Sequence, residues 1–152
     1  MPVTTPLDID TATRLRVVVG RLSRRTRQTT ASTAAGLTPT RISVLLNAVR
    51  NGPIRLSELA ASEGINPTML SRVVAELVEA GLLERSSDSG DRRAAWVQPT
   101  ADGRRLAERM RRERTDALNV ALSALSAEDQ RAVEAALSAL ETLAEQLKDG
   151  RP

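Results

Sequence analysis

The sequence predicts a mainly α-helical chain with one small β-hairpin. Three observations lead there. Apolar residues recur three and four positions apart through most of the 152 residues. Aromatic residues are nearly absent, Trp96 being the only one, so a core must be built from Leu, Val, Ile and Ala. The helical period gives way between Leu82 and Gln98, where two short apolar-polar segments flank a cluster of turn residues.

The elements follow in order. The first helix follows Asp10 or Thr11, both N-cap types, and carries Leu15, Val18, Val19 and Leu22 as one stripe. Arg14, Arg21, Arg24, Arg25 and Arg27 fill much of its remaining surface. The small, polar stretch 29–36 reads as a fraying end or loop. Thr38-Pro39 opens the next helix as N-cap and N1 proline, with Ile42, Leu45, Leu46 and Val49 inward, and Asn51-Gly52-Pro53 stops it. A short third helix runs from about Ser57 to Gly64 with Leu56, Leu59 and Ala60 inward. Asn66-Pro67 starts a fourth, whose stripe is Leu70, Val73, Val74 and Leu77 and whose end is Gly81 at C′.

The hairpin joins Leu82–Arg85 to Ala94–Gln98 across the turn residues 86–90. Thr100-Ala101-Asp102-Gly103 then opens a long basic helix carrying Leu106, Met110, Ala117, Leu118, Ala121, Leu122 and Leu125. Ser126, with Asp129 three residues on, resembles a capping box. The last helix repeats Val133, Leu137, Leu140, Ala144 and Leu147 at close to 3.5 residues, the spacing that suits a partner helix.

Composition excludes as much as it suggests. At 41% hydrophobic and 27% charged residues, with no apolar run near the ~18 residues of a membrane span, the chain reads as soluble and globular. The N-terminus MPVTTPLDIDT has neither basic n-region nor apolar h-region, so a cytoplasmic location is expected. There is no Cys and no His, which removes thiol nucleophiles, thiolate metal sites and the commonest general base. With no phosphate-binding glycine loop, metal cluster or nucleophile–base pair visible, neither an enzyme nor a cofactor is expected. Net charge is only +3, but it is unevenly spread: residues 1–35 carry six Arg against two Asp, and residues 128–152 carry three bases against six acids. A basic arm and an acidic tail suit a polyanion on one side of the molecule.

Two constellations carry a function. Residues 56–81 have the spacing of a helix-turn-helix, in which the second helix offers its N-terminal residues to base edges in the major groove. On that helix Thr68, Arg72, Ala75 and Glu79 lie opposite the apolar stripe, flanked by Met69 and Ser71, so the N-terminal half is small, polar and basic. The second is Asp91-Arg92-Arg93, where the hairpin loop meets its second strand. An Arg at a wing tip can enter the negative minor groove, held in orientation by a neighbouring Asp. Helix-turn-helix followed by hairpin is a winged helix.

The stretch from Leu56 to Gly103 resembles the MarR family of bacterial transcription regulators. The residues that carry the resemblance are LSELA, INPTMLSRVVAELVEAGLLER and SGDRRAAWVQPTADG, with a proline-started recognition helix, a G-L-[LV]-x-R exit, a D-R-R wing and a following L-T-x-x-G in the family's order and spacing. Pro99 departs from the pattern, standing where the family usually has Leu. The resemblance covers nearly the whole chain and implies a single MarR-like domain over 1–152. A winged helix-turn-helix lobe would span 38–99, with dimerisation helices at 8–31 and 101–148. It implies a homodimer, with Leu15, Val18, Leu22, Leu118, Leu122, Val133, Leu137 and Leu140 at the interface. Asn66, Pro67, Thr68, Met69, Ser71 and Arg72 on the recognition helix and Asp91, Arg92 and Arg93 on the wing would meet double-stranded DNA. Its core-facing strand positions correspond to Ala95, Val97 and Pro99. Trp96 then falls on the opposite face, as a half-buried packing residue or in a ligand cleft. The expected function is a sequence-specific, double-stranded DNA-binding transcriptional repressor acting as a homodimer on a pseudo-palindrome, with a small organic ligand as a further expected partner. The alternative is a winged-helix protein–protein or architectural DNA-binding module without ligand control.

Overall fold

The computed structural model describes residues 9–87, 90 and 95–149. They form two compact units divided after Arg114. The first contains α1 (Ile9–Arg27), α2 (Thr30–Ala34), α3 (Pro39–Asn51), β1 (Ile54–Arg55), α4 (Leu56–Glu63), α5 (Pro67–Glu79), β2 (Leu83–Ser87), β3 (Ala95–Pro99) and the first part of α6 (Ala101–Ser123). The rest of α6 and α7 (Ala127–Asp149) make the second. Among the described residues no helix is long and apolar enough to cross a membrane.

Helix α1 starts at Ile9, so Asp10 lies in its first turn rather than at the cap, with its carboxylate near the positive end of the helix dipole. The stretch expected to be a loop contains a helix. Thr29 caps α2 by accepting from the Ser32 amide at 3.1 Å, while the Thr29 amide donates back to Ser32 Oγ at 3.0 Å. This is a capping box with Ser in the place usually held by Glu or Gln. The Ala31 amide donates to both carboxylate oxygens of Glu113 at 3.2 Å, which stabilises so short a helix from 82 residues away.

Helices α3 and α5 share one kind of start. Thr38 accepts from the Arg41 amide at 3.4 Å and Asn66 from the Met69 amide at 2.8 Å, each followed by Pro at the first helical position. Helix α4 begins at Leu56, one residue before the expected Ser57, and ends at Glu63 with Gly64 as its C-cap. At φ 65° and ψ 29° Gly64 is left-handed, a conformation a side chain would strain, and this lets the chain turn sharply into α5.

The hairpin is joined by a third strand that the sequence did not announce. The order is β1-β3-β2, all antiparallel, with Ile54 opposite Val97 and Arg85 opposite the same Val97 from the other side. Pro99 is buried and pairs in register with Leu83. The Thr100 amide donates to the Leu82 carbonyl at 3.1 Å, so by antiparallel alternation Pro99 occupies a position that bonds to β2 neither way. Its missing donor therefore costs no bond there, and the strand end is not distorted. Instead Pro99 packs by Gly52, where a Cβ would lie 3.0 Å from its Cδ.

Thr100 and Gly103 fasten α6 to the sheet. Thr100 Oγ1 donates to the Gly81 carbonyl at 2.6 Å and accepts from the Gly103 amide at 3.0 Å. Gly103 is buried against the Leu82 backbone, and a Cβ there would collide with the Leu82 carbonyl. The T-x-x-G spacing is thus a cap followed three residues later by a close backbone approach. The core lies among Ile42, Leu45, Leu59, Leu70, Val74, Leu77, Leu83, Val97 and Met110, from α3, α4, α5, the sheet and α6.

In the second unit Ser126 caps α7, accepting from the Asp129 amide at 3.0 Å. The Gln130 side-chain amide donates to the carbonyls of Leu122 and Leu125, closing the end of α6. Leu118, Leu122, Leu125, Val133, Leu137, Leu140, Leu143 and Leu147 all remain exposed.

Candidate nucleic-acid interface

The surface of α5 divides as its sequence requires. Leu70, Val73, Val74 and Leu77 are buried, while Asn66, Pro67, Thr68, Met69, Arg72 and Ala75 are exposed. Ser71 is half-buried at the margin. The N-terminal end is exposed, and there free amides and the helix dipole favour an anionic partner. Arg72 makes no hydrogen bond or ion pair among the described residues.

A contact the sequence did not announce lies beside it. Arg41 of α3 donates from Nε at 2.8 Å to Oε2 of Glu76 on α5, and its Nη2 lies 2.7 Å from the same oxygen as an ion pair. Arg41 also donates to the Gly36 carbonyl at 3.4 Å. The partners stand 35 residues apart, so no periodic pattern could pair them. The Glu76 carboxylate is thus engaged by a cation from the neighbouring helix.

The wing is described in part. Strands β2 and β3 form its stem, and Glu84 accepts from the Gln98 amide at 3.1 Å. Asp91, Arg92 and Arg93 lie outside the described residues. Trp96 is half-buried and sits opposite Arg55 and Ser86, with the Arg55 guanidinium carbon 5.1 Å from the ring centroid. That is a cation–π contact on the sheet.

Behind the helix-turn-helix, a cleft of about 430 Å³ is lined by Thr26, Arg27, Ile42, Leu46, Ile65 and Arg114 among others. Arg114 donates from Nη2 to the Arg27 carbonyl at 2.9 Å, while its buried Nε has no hydrogen-bond partner among the described residues. Burial, and then the nearby Arg27 charge, hold the Arg114 guanidinium below its ordinary pKa. Trp96 does not line this cleft. Of the residues expected at a dimer interface, Leu15 is half-buried. Val18, Leu22, Leu118, Leu122, Val133, Leu137 and Leu140 are all exposed.

A helix-turn-helix followed by a hairpin, with a short third strand beside it, defines a winged helix-turn-helix protein. Residues 37–95, less than half of the chain, match the sequence model of the MarR family. An uncharacterized HTH-type transcriptional regulator of Mycobacterium bovis is 29% identical over 119 residues, which cover 78% of this chain and 82% of the relative. The transcriptional regulator Tm0710 of Thermotoga maritima has the same fold, with a TM-score of 0.77 and 23% identity over 93% of this chain and 99% of its own. A variant of MepR from S. aureus, solved bound to an oligodeoxyribonucleotide, matches with a TM-score of 0.64 and 18% identity over 86% of this chain and 95% of its own.

Proposed function

We propose that the chain is a homodimeric, sequence-specific regulator that represses by binding a pseudo-palindromic DNA operator and acts in the cytoplasm. The observation that carries this reading is the exposed N-terminal half of α5, where Arg72, without a partner among the described residues, shares a face with the small polar Thr68 and Ser71. A protein groove would want several apolar anchors on this face, and Met69 alone offers one. MepR, of the same fold, was solved with an oligodeoxyribonucleotide. In this reading Asn66, Pro67, Thr68, Met69, Ser71 and Arg72 face the major groove, and Asp91, Arg92 and Arg93 serve the minor groove.

The homodimer is supported by the apolar rows that one chain leaves in water. Leu118, Leu122, Val133, Leu137 and Leu140 on the second unit and Val18 and Leu22 on α1 are too many to leave uncovered on a stable monomer. The proposed division is a lobe at 38–99 with dimerisation helices at 8–31 and 101–148. Release by a small organic ligand belongs to the same proposal. The cleft beside Arg27 and Arg114 combines apolar walls with cationic groups, which suits a small organic anion.

Selection of bound duplexes from a random DNA pool, followed by gel shift, tests the reading. The selected site should hold two inverted half-sites with centres about 10 bp apart. Arg72→Ala should lower the preference for the selected site over a scrambled one by ~1–3 kcal/mol, the range of a bidentate base contact. Equal weakening of both duplexes would make Arg72 a phosphate contact instead.

Operator binding should also be nearly flat from about pH 6 to 9, because no His or Cys titrates in that range. Among the described residues the carboxylate with a clear shift is Glu108, and it moves away from that window: hydrogen bonds from Arg111 and Arg112 lower it from 4.5 to about 2. A depressed carboxylate pKa favours the folded form above the ordinary value, and that contribution is lost only as pH falls toward about 2. Gel shifts across the range check this; a tenfold change between pH 6 and 8 would require a titrating group that this reading does not contain.

A further inference from the structure

Arg72 and Glu76 stand four residues apart on α5, where opposite charges on a helix surface normally meet. They do not pair here. Glu76 is turned toward α3, with Nε and Nη2 of Arg41 both on its Oε2, and Arg72 is exposed and without a partner among the described residues. Arg41 is itself set in place, since its Nη1 donates to the Gly36 carbonyl. Its backbone amide bonds the Thr38 cap of α3.

We infer that Arg41 is a positioning residue for base readout: it holds the Glu76 carboxylate toward α3 and so keeps Arg72 free to reach a base edge. This rests on the proposal that Arg72 reads DNA. Without Arg41, the Glu76 carboxylate swings back along α5 and captures the Arg72 guanidinium as an ordinary i,i+4 pair. Arg72 must then break that pair at each specific encounter. Non-specific binding, which depends on phosphate contacts spread over the surface, gains or loses little from the exchange.

The test is a double-substitution series with two readouts. The first is the ratio of affinities for a selected and a scrambled duplex. Arg41→Ala should lower it about two- to fivefold, the range that an exposed ion pair commands. Adding Glu76→Gln should restore it, because the captor is gone. If the pair were merely a brace between α3 and α5, the double variant would be no better than Arg41→Ala, and that result overturns the inference. So does an unchanged ratio in Arg41→Ala.

The second readout needs no DNA: ¹⁵N relaxation of the Arg72 Nε–H group. It should stiffen in Arg41→Ala and loosen again in the double variant, and equal mobility in all three proteins overturns the inference. A wild-type chain with no sequence preference would instead sink the DNA reading, while the relaxation series still decides whether Arg41 governs Arg72. Arg41→Gln replaces Arg41→Ala if the latter does not fold.

Discussion

Leu137→Asp is expected to give a folded monomer that no longer holds its operator. Leu137 is 50% exposed in a single chain, on a helix whose leucines form an unburied row. Within one chain a carboxylate at this position stays in water and costs little. In the proposed dimer it enters an apolar helix–helix contact without a partner, where an unpaired charge is strongly unfavourable. Twofold symmetry imposes the substitution on both copies. A dissociation constant raised at least about a hundredfold corresponds to roughly 3 kcal/mol, a modest demand for such a burial. DNA binding should fall with it, because the second half-site would no longer be presented at high effective concentration. Sedimentation velocity and gel shift measure the two effects. A Leu137→Asp protein that remains dimeric would place this row outside the interface.

Gly103→Ala should destabilise the winged-helix unit by up to about 2 kcal/mol. In an exposed helix the same change would stabilise by up to about 1 kcal/mol. Here the added Cβ meets the Leu82 carbonyl, and the obstacle is backbone rather than a mobile side-chain end. Relief requires α6 to back away from the sheet, which strains the Thr100 bonds to Gly81 and Leu82 and loosens Leu106 and Met110 in the core. Overpacking of this kind typically costs 1–3 kcal/mol, about enough to outweigh the propensity gain and more where backbone must move. Thermal unfolding should shift down by roughly 4 °C for each kcal/mol in a unit of this size. A neutral or raised midpoint would mean that α6 approaches Leu82 less closely.

What the sequence disclosed was local. Thr38-Pro39 and Asn66-Pro67 announce the starts of α3 and α5, because cap and N1 proline act within one turn, and Gly64 and Gly81 announce ends by the same logic. The exposed face of α5 was legible from its period. What stayed hidden depends on distant partners. Helix α2 is too short to hold by propensity and relies on Glu113; its box uses Ser32, which the usual S/T-x-x-E/Q pattern misses. Strand β1 is two residues long and exists because β3 has a free edge for it. Arg41 is an unremarkable helix cation until α5 packs beside it. The Nε of Arg114, unpartnered among the described residues, is likewise set by packing, which no spacing encodes.

Trp96 gives the molecule an optical property of its own. The chain has one Trp and no Tyr, so its near-ultraviolet absorption and its emission arise from a single chromophore on the central strand of the winged sheet. The Arg55 cation over that indole makes the signal sensitive to the pairing of β1 with β3. In a symmetric pair of chains the two indoles have equivalent surroundings and emit as one component. A change in the emission of this indole on adding DNA or a small organic anion therefore reports on this sheet, with no other tryptophan or tyrosine to dilute it.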